Sequence, residues 1–332
     1  MRPLLALASA LGLCVSAHAQ FANTTVDFDV DTQDHVAWGP TSLQQVGSAV
    51  LIADLNGDGI GDLVTAARGS RGPAGDRGAD TGEVTLRFGA RVLPQAEDRF
   101  TAPPQVTIYG VDAGDQLARA LAAGDLNGDG RVDLVLGVPL ADGPGNTRAA
   151  CGEVYVLWGR SSWPSTIDLR NADPATTNAD VTIFGYEAGD QAGRSLAVGD
   201  LNHDGKADLA IGAIGADGAG NNRDASGEAY VLYGPLAAGT RDLAASAPNV
   251  RINGAEAGDV AARSLAIGDV NGDGIVDLAL GVVAGGGPPA QARSGAGEVA
   301  IVYGSATLPA TIDLATAASL TIYGARVGDS AG

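Results

Sequence analysis

The sequence has 332 residues, 49 of them glycine, a formal net charge of −19 and 45% hydrophobic residues. That length suits one large repeat domain or two ordinary ones, and the sign of the charge argues against a nucleic-acid binder, which must neutralise phosphates. Short runs of Ala, Val, Leu and Ile between many glycines exclude a disordered chain and suit short buried strands joined by tight turns.

The chain opens with Arg2, an apolar stretch from Leu4 to Val15, and the small-x-small pattern Ala17-His18-Ala19. Together these predict a secretory signal peptide over residues 1–19, cleaved after Ala19. The stretch is too short to span a bilayer, and Leu13 is too large to precede a lipidated Cys14. No later segment is long and apolar enough to cross a membrane. Cleavage would leave Cys151 alone, and one cysteine cannot form an intramolecular disulfide. An exported chain then needs another staple, and extracellular metal is the obvious candidate because it binds the folded state. Residues 20–43 form a lead-in carrying the glycosylation sequon Asn23-Thr24-Thr25.

From residue 44 the chain repeats. Asp54-Leu55-Asn56-Gly57-Asp58-Gly59 returns as Asp125-Leu126-Asn127-Gly128-Asp129-Gly130, as Asp200-Leu201-Asn202-His203-Asp204-Gly205 and as Asp269-Val270-Asn271-Gly272-Asp273-Gly274, at offsets of 71, 75 and 69 residues. The repeats run over about 44–114, 115–189, 190–258 and 259–332. Each holds four strand-like runs, shown best by the second: Arg119 to Ala123, Asp133 to Val138, Glu153 to Trp158 and Val181 to Gly185. The runs are short, have no helical period, and are separated by Asp-Gly, Gly-Pro and Asn-Ala-Asp-Pro turns. Four short strands per repeat are what a β-propeller blade needs. A calcium-binding β-helix would repeat far more often, and an immunoglobulin array would have more strands per unit. In antiparallel blades the Asp-rich loops, between the first and second strands, lie at the opposite face from the longer second-to-third connections. Those connections, as in Leu140 to Gly152 and Ala213 to Gly227, are where a binding surface is expected.

Calcium takes six to eight oxygens at about 2.3–2.6 Å from a flexible loop. Positions 1, 3 and 5 of each loop supply Asp54, Asn56 and Asp58; Asp125, Asn127 and Asp129; Asp200, Asn202 and Asp204; Asp269, Asn271 and Asp273. Glycine at position 6 permits the sharp turn. Position 7 is Ile60, Arg131, Lys206 or Ile275, a variation that only a backbone carbonyl ligand tolerates. Position 9 is Asp62, Asp133, Asp208 or Asp277. Up to four Ca2+ sites are expected, each net negative and self-repelling without metal; magnesium suits such loops less well. The competing explanation is a set of Asx-turns that bond the same side chains to backbone amides. An EF-hand is excluded, because position 12 is Thr65, Leu136, Ile211 or Leu280 rather than Glu, and strands flank the loop.

The run Gly189-Asp190-Gln191 through Asp200-Leu201-Asn202-His203-Asp204-Gly205-Lys206-Ala207-Asp208 to Gly212-Ala213 resembles an FG-GAP repeat, the unit of the N-terminal propeller of integrin α subunits. Ile183-Phe184-Gly185 matches the Phe-Gly element. Ile108-Tyr109-Gly110, Ile252-Asn253-Gly254 and Ile322-Tyr323-Gly324 are variants of it. Gly137-Val138-Pro139 approximates the Gly-Ala-Pro element, which degrades in the later repeats. The resemblance covers roughly Gln44 to Gly332. It implies an all-β propeller of four-stranded blades, calcium between the first two strands of several blades, and extracellular adhesion or binding of a protein or glycan. It also implies seven blades. Four are present, so the chain reads as part of a longer ring, or alternatively as a closed four-bladed one.

Glu83, Glu153, Glu228 and Glu298 open the third strands, with Arg148, Arg223 and Arg293 five residues before three of them, and Asp115–Arg119, Asp190–Arg194 and Asp259–Arg263 also recur. Repetition in every blade favours ion pairing between blades over a ligand rim. The case for an enzyme is poor: the histidines after the signal are His35 and His203, the latter at loop position 4, and no catalytic constellation is visible. FG-GAP repeats do accompany catalytic domains, so a non-catalytic module of a larger secreted hydrolase is the alternative reading.

Overall fold

The computed structural model describes residues 36–38, 44–73, 75, 77–90, 96–98, 103–170, 179–287 and 293–332. The signal peptide, the sequon at Asn23 and His35 lie outside the described residues. The described residues are nearly all-β, with one α-helical turn at Leu314–Ala317, capped by Asp313, and 3-10 turns at Pro144–Asn146 and Ala219–Asn221.

Each repeat forms one antiparallel sheet. The first comprises Val46–Ala53, Asp62–Ala67, Glu83–Arg87 and Val106–Tyr109. The second comprises Ala120–Gly124, Asp133–Val138, Glu153–Leu157 and Val181–Phe184. Ala192–Gly199, Asp208–Ala213, Glu228–Leu232 and Val250–Asn253 form the third. The fourth is Leu265–Gly268, Asp277–Val282, Glu298–Val302 and Leu320–Tyr323. The first strands of successive sheets pack against one another, as in blades around an axis.

The core is divided into three layers, one between each pair of successive blades. In the second blade Leu134 and Leu136 face the first blade, whereas Val135 and Val156 face the third. A strand buried on both faces reads as a continuous apolar run, which is why Asp133–Val138 and Asp208–Ala213 are buried along their whole length. Each large side chain so buried contributes about 1.5–3 kcal/mol. Close approach between first strands relies on glycine. A Cβ on Gly124 would lie 2.4 Å from Cγ1 of Val198, and one on Gly199 would lie 2.6 Å from Cγ2 of Ile267.

Each of the first three four-stranded blades gains a fifth strand from the next repeat. Thr166–Asp168 pairs in parallel with Val106–Tyr109, the outer strand of the preceding blade. Gly239–Asp242 and Thr311–Asp313 do the same to the second and third blades. Each short strand comes from the connection between the third and outer strands of the next repeat. Three or four residues ending in Asp carry too little apolar pattern to register as a strand in the sequence. In the lead-in, Val36–Trp38 pairs in parallel with Ala96–Asp98, setting Trp38 opposite Asp98 as Tyr109 stands opposite Asp168.

The four blades do not close on one another in this structure. In the first blade Ile52 is 73% exposed, and in the fourth Ile322 is 53% exposed, although its counterparts Ile108, Ile183 and Ile252 are buried.

Candidate metal centre

Each Asp-rich loop joins a blade's first strand to its second, and all four adopt one geometry. In the first loop Asp54 Oδ1 accepts from the amides of Gly57 (2.7 Å) and Asp58 (3.1 Å), and Oδ2 accepts from Gly59 at 2.8 Å. Asn56 Oδ1 accepts from the Asp58 amide, and Asp58 Oδ1 from the Ile60 amide, both at 2.8 Å. Asn56 Nδ2 donates to Asp58 Oδ2 at 3.0 Å, so positions 3 and 5 converge. The pattern recurs at Asp125, Asn127, Asp129 and the Arg131 amide. It recurs at Asp200, Asn202, Asp204 and Lys206 with the position-5 amide alone on Asp200 Oδ1, and at Asp269, Asn271, Asp273 and Ile275 with the position-4 amide alone on Asp269 Oδ1. Gly59 and Gly130, at position 6, have φ of +83° and +85°, a turn that a side chain would strain.

Position 9 behaves differently. Asp62, Asp133, Asp208 and Asp277 are buried. One oxygen of each accepts the amide at position 2 of its own loop: Leu55, Leu126, Leu201 or Val270, at 2.8–2.9 Å. The other accepts an amide beyond the third strand: Gly89, Gly159, Gly234 or Gly304, at 2.8–3.0 Å. These carboxylates tie the loop to the sheet behind it. Burial pushes Asp133 and Asp208 up to about 6, against the pull of those amides. The exposed Asp269 at position 1 is held below the usual range by the amides of Gly274 and Gly272.

The structure therefore brings positions 1, 3 and 5 together at the exposed end and sets position 9 behind them. The Asx-turn bonding is realised in all four loops, and among the described residues no group of three acidic, His or Cys side chains forms a metal cage. The donor set still fits a hard cation. Its side-chain acceptors are oxygens, and the position-7 amide sits on the position-5 carboxylate. A carboxylate oxygen that accepts one amide keeps a second acceptor site.

The recurrent charges outside the loops resolve into two groups. Arg148 binds Asp242 and the Gly185 carbonyl, and Arg223 binds Asp313 at 2.7 Å and the Gly254 carbonyl. Both are ion pairs between blades, since each Asp ends the short strand that the next repeat adds. Arg77 makes the same pair with Asp168. It was not singled out in the sequence, because it precedes Glu83 by six residues rather than five, but the recurring Thr-Ile-Asp at 166–168 and 311–313 was a usable signal. Arg293 instead donates to the Ala325 carbonyl. The glutamates serve their own blades: Glu83 accepts from the Ser70 hydroxyl, Glu153 from Tyr155, Glu228 from both nitrogens of the Arg251 fork at 2.7 Å, and Glu298 from the Gly287 amide. Among the described residues the recurrent Asp115, Asp190 and Asp259, and Arg119, Arg194 and Arg263, make none of the expected ion pairs between blades. Each Asp turns back to a backbone amide three residues earlier, at Asp112, Glu187 or Glu256, closing a tight loop.

The FG-GAP repeat model matches residues 46–86, 117–157 and 192–232, that is, the first three strands of the first three blades. The fourth blade has the same strand order and the same Asp-rich loop. The chain is 33% identical over 165 residues to a phosphatidylinositol-glycan-specific phospholipase D of Rattus norvegicus, covering 50% of this chain and 18% of that protein. It is 28% identical over 247 residues to integrin alpha pat-2 of Caenorhabditis briggsae, covering 71% and 18%. It is 32% identical over 184 residues to integrin alpha-PS5 of Drosophila melanogaster, covering 55% and 16%. The matches span less than a fifth of each of these relatives. Among the described residues no helix is long and apolar enough to cross a membrane.

Proposed function

From the premise that this is an FG-GAP repeat protein similar to integrin α, we propose that it is a secreted or cell-surface binding module without catalytic activity of its own. One end of the blades is stapled by up to four calcium ions, and a protein or glycan ligand is engaged at the other end. The observation that carries this reading is the segregation of the loops. All four Asp-rich loops lie at one end. The long second-to-third connections, with their short helical turns at Pro144–Asn146 and Ala219–Asn221, lie at the other.

Calcium would be held by Asp54, Asn56, Asp58 and the Ile60 carbonyl, by the same positions in the other three loops, and by Asp62, Asp133, Asp208 and Asp277 where those carboxylates retain a free acceptor site. It would supply positive charge to clustered carboxylates and so favour the folded state; at a hundredfold excess over Kd that contributes about 2.7 kcal/mol. Adding calcium to chelator-treated protein is expected to raise the melting temperature, with up to four ions per chain by elemental analysis. No shift and no bound metal would remove the calcium reading. The ligand end is tested on an array of immobilised glycans and extracellular proteins. Substitutions in 140–152 and 213–227 are expected to abolish binding, while Lys206→Gln at the metal end leaves it intact.

A second reading, a non-catalytic module of a larger secreted hydrolase, is supported by the similarity to the phospholipase D. Finding a catalytic domain on the same polypeptide would favour it.

A further inference from the structure

Four arginines without carboxylate partners among the described residues meet at the end of the blades opposite the Asp-rich loops. Arg119 precedes the first strand of the second blade, Arg194 lies in that of the third, and Arg263 precedes that of the fourth. Arg68 follows the second strand of the first blade. Antiparallel pairing puts the start of a first strand and the end of a second strand at the same end, and these four residues line one open cavity of about 380 Å³.

None of the four makes an ion pair among the described residues. The aspartates spaced to serve three of them are turned to backbone amides. Arg68 Nε donates to Gln45 Oε1 at 2.6 Å. Among the described residues Asp80 is the one carboxylate on the lining, so four positive charges face one negative, a local surplus of three in a chain whose net charge is −19. The charges feel one another. Arg194 is pushed down to about 10 by burial and by the charges of Arg119, Arg263 and Arg68. Gln116 and Gln191 occupy equivalent places on the lining, each with φ near +57°, and add amide donors between the guanidinium groups. Unpaired like charges at close range are costly unless a counter-charge arrives.

We propose that this cavity is an anion site, which takes a ligand group bearing two or more phosphate, sulfate or carboxylate charges. A guanidinium fork matches the paired oxygens of such groups, and several forks around one opening select for multiple charge. The inference rests on the reading of this end as the ligand face, and it gives that ligand a chemistry.

Titration calorimetry of the whole chain at low salt tests it, with pyrophosphate and citrate as probes and acetate as the singly charged control. Both probes are expected to bind at one site per chain, more weakly as salt is added, and acetate is not. Tighter pyrophosphate assigns a phosphoryl group; tighter citrate assigns a carboxylate ligand. Arg194→Gln is expected to weaken binding about tenfold or more, and Arg194→Lys less, because charge survives without the fork. Arg194→Gln is also expected to raise the melting temperature of the ligand-free protein by relieving repulsion, which separates lost binding from lost folding. Arg160→Gln, beside the Asp-rich loop of the first blade, is expected to leave binding unchanged. Absence of binding by either probe, or equal weakening by Arg194→Gln and Arg160→Gln, overturns the proposal. An array ligand that Arg194→Gln still binds, with no competition from pyrophosphate, removes the anion site and leaves the ligand face standing. Pyrophosphate binding without any array ligand does the reverse.

Discussion

At the scale of single residues, the buried carboxylates and the ion pairs between blades set opposite limits on stability. Burial raises Asp115 and Asp190 to about 7 and Asp259 to about 6. A raised carboxylate favours the fold while protonated, and that contribution is lost as pH climbs from the unfolded value towards the folded one. Asp242 and Asp313 are lowered, first by their hydrogen bonds to Arg148 and Arg223. Their contribution is present above the unfolded value and is lost as pH falls through the folded one. Chelator-treated protein is therefore expected to melt highest at about pH 4–5, falling on both sides; a maximum at pH 8 in a calorimetric series would contradict this. Arg223 and Arg293 occupy the same place in successive blades, but only Arg223 has a carboxylate from the next one. Arg223→Ala is expected to cost about 1 kcal/mol more than Arg293→Ala in urea unfolding. The convergence of loop positions 3 and 5 was legible from residue type and spacing. The inward turn of Asp62, Asp133, Asp208 and Asp277 was not, because their amide partners at Gly89, Gly159, Gly234 and Gly304 are 26 or 27 residues away.

At the scale of elements, the blade is held to its neighbour at three levels: the contact between first strands, the Asp-rich loop, and the short parallel strand at the rim. In the first contact, Val198 and Ile267 seat against Gly124 and Gly199, whereas a Cβ on Gly268 would meet nothing within 4 Å. Gly199→Val is thus expected to cost about 1–3 kcal/mol through overpacking, and Gly268→Val to be near neutral, both read by chemical denaturation. At the loop, the position-2 carbonyl accepts from the next blade. Leu55 receives the Trp163 indole, Leu126 the Leu236 amide and Leu201 the Ser305 amide. Those three leucines are buried for that reason, and Val270, in the fourth blade, is 56% exposed. The main strands were readable from apolar runs between turn residues, to within a residue at their ends. The parallel rim strands were not, since their stability comes from a partner in the preceding repeat.

At the scale of the whole molecule, the chain is a row of repeats, each supported only by its neighbours, and stability in such arrays is a sum of units and interfaces. The second and third blades have neighbours on both sides. The first and fourth have one each, with Val50, Ile52, Leu320 and Ile322 left exposed. Amide hydrogen exchange is expected to be slowest in Asp133–Val138 and Asp208–Ala213 and faster in Asp62–Ala67 and Asp277–Val282; uniform protection would contradict the picture. The sequence by itself determined the repeat, its all-β blades, the oxygen-rich loops and their likeness to FG-GAP repeats, because strand period and loop spacing are local and recur four times. Only the tertiary structure decided which charges pair. Arg148 and Arg223 find their aspartates 94 and 90 residues away, while Arg119, Arg194 and Arg263, four residues from an aspartate each, find none among the described residues. Spacing along a chain fixes which side chains share a strand, but electrostatic partnership depends on where the backbone amides and the next blade leave each carboxylate pointing.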